Sequence, residues 1–382
     1  MRSPQAQAKV TAKTLPTALM PTASYNPQKI TSKPLHTSNE ATNDKFLLPK
    51  LSIFDLNSTS TDSQQDLLVE SEIGVGGLGQ VDAATQTCFG RKVAIKRVRH
   101  DRGCSTAEMQ LLKEAEIMGQ LEHSAIPPAH IVGLDDSGHT TLVMKLIEGK
   151  SWLDVMRNDR TKLNKNELPH WYLNKHLLFL LRIGEALHFA HQKSIIHRDV
   201  KPENVVIGDY GEVYLIDWGI AEELDEGNTF WGDSFAGTPC YSPPETILPK
   251  PKWSIQSDVY LMGATMYQII TGDPPHCGEN VQDVFEHILK TPTPVPNGEV
   301  PIQLASIFKK AMVAEPRDRY SSVRSMLEDI RSFQAHGKTR RDELNVGIQV
   351  ILIEQIASQK KAYDELLSDY KKLQDKSGDD TK

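Results

Sequence analysis

The sequence predicts an α+β chain of two unequal lobes, a small β-rich one followed by a larger helical one, and three observations carry that reading. A glycine-rich turn, Gly74-Val75-Gly76-Gly77-Leu78-Gly79, is followed by a β-branched run, Val93-Ala94-Ile95-Lys96, as in strands joined by tight turns. An apolar strand, Thr141 to Ile147, runs into Gly149 and suits a link between lobes. Beyond it, apolar residues recur at helical spacing in Trp171 to Gln192, Asp258 to Thr271, Val281 to Lys290, Ile302 to Ala314 and Ser322 to Phe333.

With 382 residues the chain can bury a full core in two or three packed units. Its net charge of −7 speaks against nucleic acid as a main partner, since phosphate-backbone binding needs a concentrated basic surface. No transmembrane helix is predicted, because the most apolar segments, Leu177 to Ala190 and Val346 to Ala357, are interrupted by Arg182, Glu185 or Glu354. Cys88, Cys104, Cys240 and Cys277 are far apart and form no Cys-x-x-Cys pair, the pattern of reduced thiols in a cytoplasmic setting.

Taken in order, residues 1–64 are rich in Ser, Thr, Pro, Gln and Asn without a sustained apolar period, and are expected to be a disordered tail. Its early basic residues resemble a transit peptide, but the scattered prolines spoil the amphipathic helix such a peptide needs. Order is expected from residue 65. Gly74, Gly76 and Gly79 let a hairpin lie flat over phosphates with its amides pointing inward. The strand after it delivers the Lys96 ammonium, and in the helical segment Ala107 to Leu121 Glu114 is the favoured ion-pair partner, with Glu116 and Glu108 as rivals. The backbone of Lys145 to Ile147 can hydrogen-bond a purine beside Met144 while Val81, Ala94 and Val206 close over its faces.

The octapeptide His197-Arg198-Asp199-Val200-Lys201-Pro202-Glu203-Asn204 holds an acid, a cation two residues on and a carboxamide five residues on. That set suits a loop beside a terminal phosphate: Asp199 accepts a hydroxyl proton, Lys201 meets the phosphoryl group, and the Asn204 oxygen binds a metal. The short strand Val213 to Ile216 presents Asp217 before Trp218 and Gly219, a carboxylate suited to magnesium. From there to Pro243-Pro244-Glu245 the composition is that of a mobile surface loop with hydroxyls at Thr229, Ser234 and Thr238.

With these motifs in one order, residues 67 to about 335 resemble the eukaryotic-like Ser/Thr protein kinases. The resemblance implies the bilobal kinase fold, with an N-lobe at 65–147 and a C-lobe at 148–336. It implies ATP and Mg2+, with Mn2+ as an alternative ion, and protein Ser/Thr hydroxyls as acceptors, those of the chain itself included. It assigns Gly74, Gly76 and Gly79 to the phosphate loop, Lys96 and Glu114 to an ion pair, Asp199 to the base, Lys201 to the γ-phosphate, and Asn204 and Asp217 to metal. Glu245 with Arg319 would anchor the substrate platform, above a helix carrying Asp258 and Gly263. Trp218 in place of Phe, Leu78 in place of an aromatic, and Ser242-Pro243 in place of Met-Ala depart from the family pattern without removing a charge. A pseudokinase or scaffold, or a small-molecule phosphotransferase, is the other class of reading. The resemblance also makes the loop between Gly219 and Pro244 a switch, in which a phosphate on Thr229 or Ser234 pairs with Arg198 unless the acids Glu222 to Asp233 stand in for it. Thr238 is expected to bond Asp199 and Lys201. In residues 337–382, Leu352, Ile356, Gln359, Tyr363, Leu366, Tyr370 and Leu373 step by four and three, predicting a helix that pairs with a second copy or docks on the large lobe.

Overall fold

The computed structural model describes residues 48–55, 66–75, 79–98, 104–163, 168–294, 296 and 300–336. Residues 1–47 of the expected tail, Gly76, Gly77 and Leu78 of the phosphate turn, and the expected C-terminal helix lie outside the described residues.

The first lobe is a six-stranded sheet with one helix. Its strands are β1 (Ile53–Asp55), β2 (Leu67–Val75), β3 (Gly79–Gln86), β4 (Arg91–Val98), β5 (Ala129–Leu134) and β6 (Thr140–Lys145), in the order β1-β2-β3-β4-β6-β5. Helix α1 (Cys104–Gln120) lies between β4 and β5 in the chain and buries Leu111, Ala115, Ile117 and Met118. The β-branched run Val93 to Ile95 is fully inside because β4 is a central strand, paired with β3 on one side and β6 on the other.

The expected boundary at residue 64 does not hold. Lys50 bridges Leu134 at the β5 edge, Ile53 pairs with Leu67 at the β2 edge, and Leu51 is buried with Leu67, Val69, Ala84, Val93, Ile95 and Val143. Residues 49–55 therefore strap both edges of the sheet and belong to the first lobe. Burial of Leu48-to-Ile53 apolar surface offsets the ordering entropy that composition alone says such a segment cannot meet.

The second lobe carries β7 (Gly149–Ser151), α2 (Trp152–Arg160), α3 (His170–Gln192), β8 (Ile195–Ile196), β9 (Val205–Gly208), β10 (Val213–Leu215), β11 (Glu222–Glu223), β12 (Phe230–Trp231) and β13 (Lys252–Trp253). It ends with α4 (Ile255–Thr271), α5 (Val281–Lys290), α6 (Ile302–Ala311) and α7 (Val323–His336). Helix α3 buries Leu177, Leu180, Ile183, Ala186, Leu187 and Ala190 against α4 and α7. Helix α4, which carries Asp258 and Gly263, is buried almost all round and starts on a capping box, Ser254 with Ser257. Among the described residues no helix is long and apolar enough to cross a membrane.

Candidate active site

Two short hairpin-like segments meet under the first sheet. One is the loop between β8 and β9, holding His197 to Asn204; the other is the turn after β10, holding Asp217 to Gly219. Both carry a non-glycine residue at positive φ, Arg198 at 72° and Asp217 at 62°, a conformation that persists only where the surroundings over-determine it. For the first loop they do: buried Asp258 accepts the His197 and Arg198 backbone N–H groups at 2.9 and 3.0 Å, and the His191 ring lies 2.8 Å from the same carboxylate.

Within that loop Asp199 is a hub. Its Oδ1 accepts the Thr238 hydroxyl at 2.7 Å, and its Oδ2 accepts Lys201 Nζ and Asn204 Nδ2, each at 2.8 Å. Lys201 also donates to Thr238 Oγ1, so the expected bonds of Thr238 to both residues are present. Asn204 gives a second bond to the Asp199 carbonyl at 2.9 Å. With both amide hydrogens so engaged, its Oδ1 is the atom left to face a cation. Next to Thr238, Gly237 has φ +110°, and a Cβ there would stand 2.9 Å from the Arg198 carbonyl, so only glycine fits.

Above it, Lys96 on β4 meets both oxygens of Glu114 on α1 at 2.7 Å, and its Nζ lies 3.5 Å from Asp217 Oδ1. Of the acids of α1, Glu114 is the one that meets Lys96: Glu108 Oε2 instead accepts the Thr140 backbone N–H at 2.7 Å, and Glu116 is exposed. Burial alone would pull the Lys96 ammonium down, but the Glu114 and Asp217 carboxylates outweigh it and hold the group above its ordinary range. Burial pushes the Glu114 carboxyl up, and Lys96 offsets only part of that. A Cβ on Gly219 would lie 3.1 Å from Glu114, 3.2 Å from Asp217 and 3.5 Å from Lys96, which explains a glycine beside three converging charges. Trp218, where a smaller aromatic was expected, is buried, donates its indole N–H to the Leu215 carbonyl at 3.1 Å and packs edge-on to His197 at 4.6 Å.

The expected nucleotide contacts fall on neighbouring strands. Ala94 is buried opposite Met144 in the β4–β6 register, and Val81 sits opposite Lys96 in the β3–β4 register. Val81, Met144, Ile147 and Val206 are half-buried, and Val75 at the end of β2 is exposed. At Gly79 a Cβ would meet the Arg97 carbonyl at 2.6 Å, whereas Gly74 is open on that side. The Lys145 backbone N–H is already given to the Pro128 carbonyl at 3.1 Å, and its side chain turns to the Tyr214 hydroxyl.

Arg198 stands beside one of the acids kept as the alternative to a phosphate. Rather than facing Thr229 or Ser234, it is buried between the rings of Phe230 and Trp253, 4.9 and 4.7 Å from their centres, donates to the Ile220 carbonyl at 3.1 Å and lies 3.6 Å from Glu222 Oε1. The Thr229 hydroxyl is held by the Asp225 carboxylate at 3.1 Å. Glu222 and its second partner, Lys113 of α1, carry no local sequence signal, being 109 residues apart.

Among the described residues no three His, Cys, Asp or Glu side chains are grouped to hold a metal alone. The donor set that exists, the Asp217 carboxylate and the Asn204 amide oxygen, is two hard oxygens, which suits a hard divalent cation.

The protein kinase domain family model matches residues 67–330. The chain is 33% identical over 306 residues to the serine/threonine-protein kinase PknD of Protochlamydia amoebophila, covering 72% of this chain and 31% of that protein. It is 30% identical over 280 residues to PknD of Chlamydia felis, covering 68% and 30%. It is 32% identical over 277 residues to the probable serine/threonine-protein kinase PknB of Corynebacterium glutamicum, covering 69% and 41%. The chain thus spans less than half the length of these curated relatives.

Proposed function

The chain belongs to the protein kinase family, and we propose that it transfers the γ-phosphoryl group of ATP to Ser or Thr hydroxyls of proteins, its own included. The observation that carries this reading is the convergence of the Lys96–Glu114 pair, the Asp199 hub and the Asp217 carboxylate in one cleft. Asp199 orients the acceptor hydroxyl and takes its proton as the new P–O bond forms and the bond from the γ-phosphorus to the bridging oxygen breaks, with ADP as the leaving group. Lys201, held between Asp199 and Thr238, meets the negative charge on the transferring group. Lys96, fixed by Glu114, holds the α and β phosphates, and Gly74 and Gly79 bring backbone amides over them. Val81, Ala94, Met144, Ile147 and Val206 enclose the adenine. Asn204 and Asp217 would hold magnesium, which neutralises phosphate charge when bound. Reduced Cys88, Cys240 and Cys277 suit a cytoplasmic setting.

Incubation with labelled ATP, magnesium and a generic basic protein tests the reading. Asp199→Asn is expected to lower kcat by about 100-fold or more, the scale of one general base. Near-normal turnover of that variant would overturn the role given to Asp199.

A further inference from the structure

Three charged side chains from three separate elements meet where the chain leaves the Asp217 turn. Glu222 of β11 pairs through Oε2 with Lys113 of α1, and its Oε1 lies 3.6 Å from Arg198 Nη1 in the catalytic loop. One carboxylate thus serves two cations. The strand pairing fixes its position, since Glu222 stands opposite Ile196, two residues before Arg198. Helix α1 touches the same segment twice more: Gln110 donates to the Gly219 carbonyl at 3.0 Å and Gln120 to Glu223 at 3.3 Å.

Arg198 is closed to any other anion. The aromatic rings of Phe230 and Trp253 cover the guanidinium, and its Nε is buried without a partner. Burial pulls Arg198 down to about 10, with Glu222 and Asp258 holding it back. Only 5% of the Arg198 side chain and 18% of that of Glu222 is exposed, so their attraction is less screened than a surface pair.

We propose that Glu222 is a positioning residue, a built-in carboxylate that ties α1 to the catalytic loop and keeps Glu114 on Lys96 without a phosphate on the loop between Gly219 and Pro244. Without it Lys113 and Arg198 repel each other, and α1, which carries Glu114, is free to move outward. This deepens the kinase reading and rests on it for its kinetic consequences.

The test compares the full chain with Glu222→Gln, Glu222→Asp, Lys113→Met and the Glu222→Gln/Lys113→Met double variant. Two readouts are taken: kcat and KM for ATP before and after phosphatase treatment, and hydrogen exchange over residues 104–120. Phosphatase-treated wild type is expected to start at full rate without a lag. Glu222→Gln is expected to lose about tenfold in kcat, the scale of one charge-assisted hydrogen bond, while α1 exchanges faster. Glu222→Asp should recover part of the loss, and the double variant should be no worse than the worse single one, because both break one tether. Lys113, half exposed, is a replacement the fold tolerates, so Lys113→Met keeps the test valid if the Glu222 variants unfold. Wild-type kcat and exchange in Glu222→Gln, or a phosphatase-dependent lag in wild type, overturn the proposal. If wild type transfers no phosphate at all, the kinase reading fails, and exchange alone decides the tether: faster α1 exchange in the variants upholds it, unchanged exchange overturns it.

Discussion

Arg319 offers the perturbation whose cost follows most directly from geometry. Its side chain is fully buried, and each of its five N–H groups has an acceptor. Nε donates to the Val313 carbonyl at 2.7 Å, Nη1 to Glu245 Oε1 at 2.7 Å and the Gln256 carbonyl at 3.0 Å, and Nη2 to Glu245 Oε2 at 2.7 Å and the Ala314 carbonyl at 2.9 Å. The guanidinium also lies 4.9 Å from the Tyr260 ring centre. Methionine keeps most of the volume and apolar contact, so Arg319→Met isolates the polar loss: a mostly buried carboxylate without its cation and three carbonyls each losing the guanidinium as donor. Removing one partner of a buried pair costs about 3–5 kcal/mol. At a few degrees per kcal/mol for a domain of this size, Tm is expected to fall by about 10 °C. Thermal and urea unfolding followed by tryptophan fluorescence measure it. A Glu245→Leu/Arg319→Met double variant removes the orphaned charge and is expected to be more stable than Arg319→Met alone. A single variant within about 1 kcal/mol of wild type, or a double variant as unstable as the sum of the two singles, would refute the reasoning.

Thr238→Ala removes the hydroxyl shared by Asp199 and Lys201, and is expected to lower kcat by about tenfold or more with little change in KM for ATP; unchanged steady-state kcat would exclude a positioning role. Stability should also depend on pH through two histidines that the fold keeps neutral. Burial pulls His176 from 6.5 down to about 4, where its Nδ1 accepts the Trp152 indole N–H, and His276 from 6.5 down to about 3, beside Tyr260 and the His287 ring. Below about pH 6.5 the unfolded chain takes up both protons while the folded chain does not, so about 1.4 kcal/mol per histidine is lost for each pH unit. Their contribution is fully present above pH 6.5 and lost as pH falls towards the folded values. Tm measured from pH 8 to pH 5 should be level above 7 and fall below 6.5, and a flat profile across that range would exclude it.

Among the described helices all but α2 (Trp152–Arg160) were legible from apolar residues at helical spacing, and α5 from its cap as well. Asn280 caps α5 by accepting the Asp283 N–H, and the helix runs Val281–Lys290 as the pattern predicts. Where a cap was overlooked the boundary slipped: α4 starts at Ile255, on the Ser254–Ser257 box, three residues before the expected Asp258. The strap at 49–55 was illegible for another reason. Its strand is three residues long, and its partners are at Leu67 and at Leu134, over 80 residues from Lys50. Leu51, Ile53 and Phe54 make an apolar run, but one too short to announce a contact whose stabilising surface belongs to strands elsewhere.

The proposed catalytic groups share one loop of the sequence, and Lys201 and Asn204 both bond the Asp199 carboxylate there. Control of that loop could not be read from the sequence. Arg198 is visible in the octapeptide, but four acids follow Asp217 within nine residues, and composition does not say which one it meets. The register of β11 on β8 decides: successive strand residues point to opposite faces, so with Glu222 opposite Ile196 its carboxylate turns in towards Arg198 and Lys113. Glu223 then turns out, exposed, towards Gln120. A slip of one residue would exchange the two faces. The Ser194 carbonyl, accepting the Leu224 N–H at 2.7 Å, fixes the chain just beyond the pair and resists that slip. The choice of Glu222 over its neighbours is thus made by backbone hydrogen bonds between segments about thirty residues apart, which no spacing rule within one motif can anticipate.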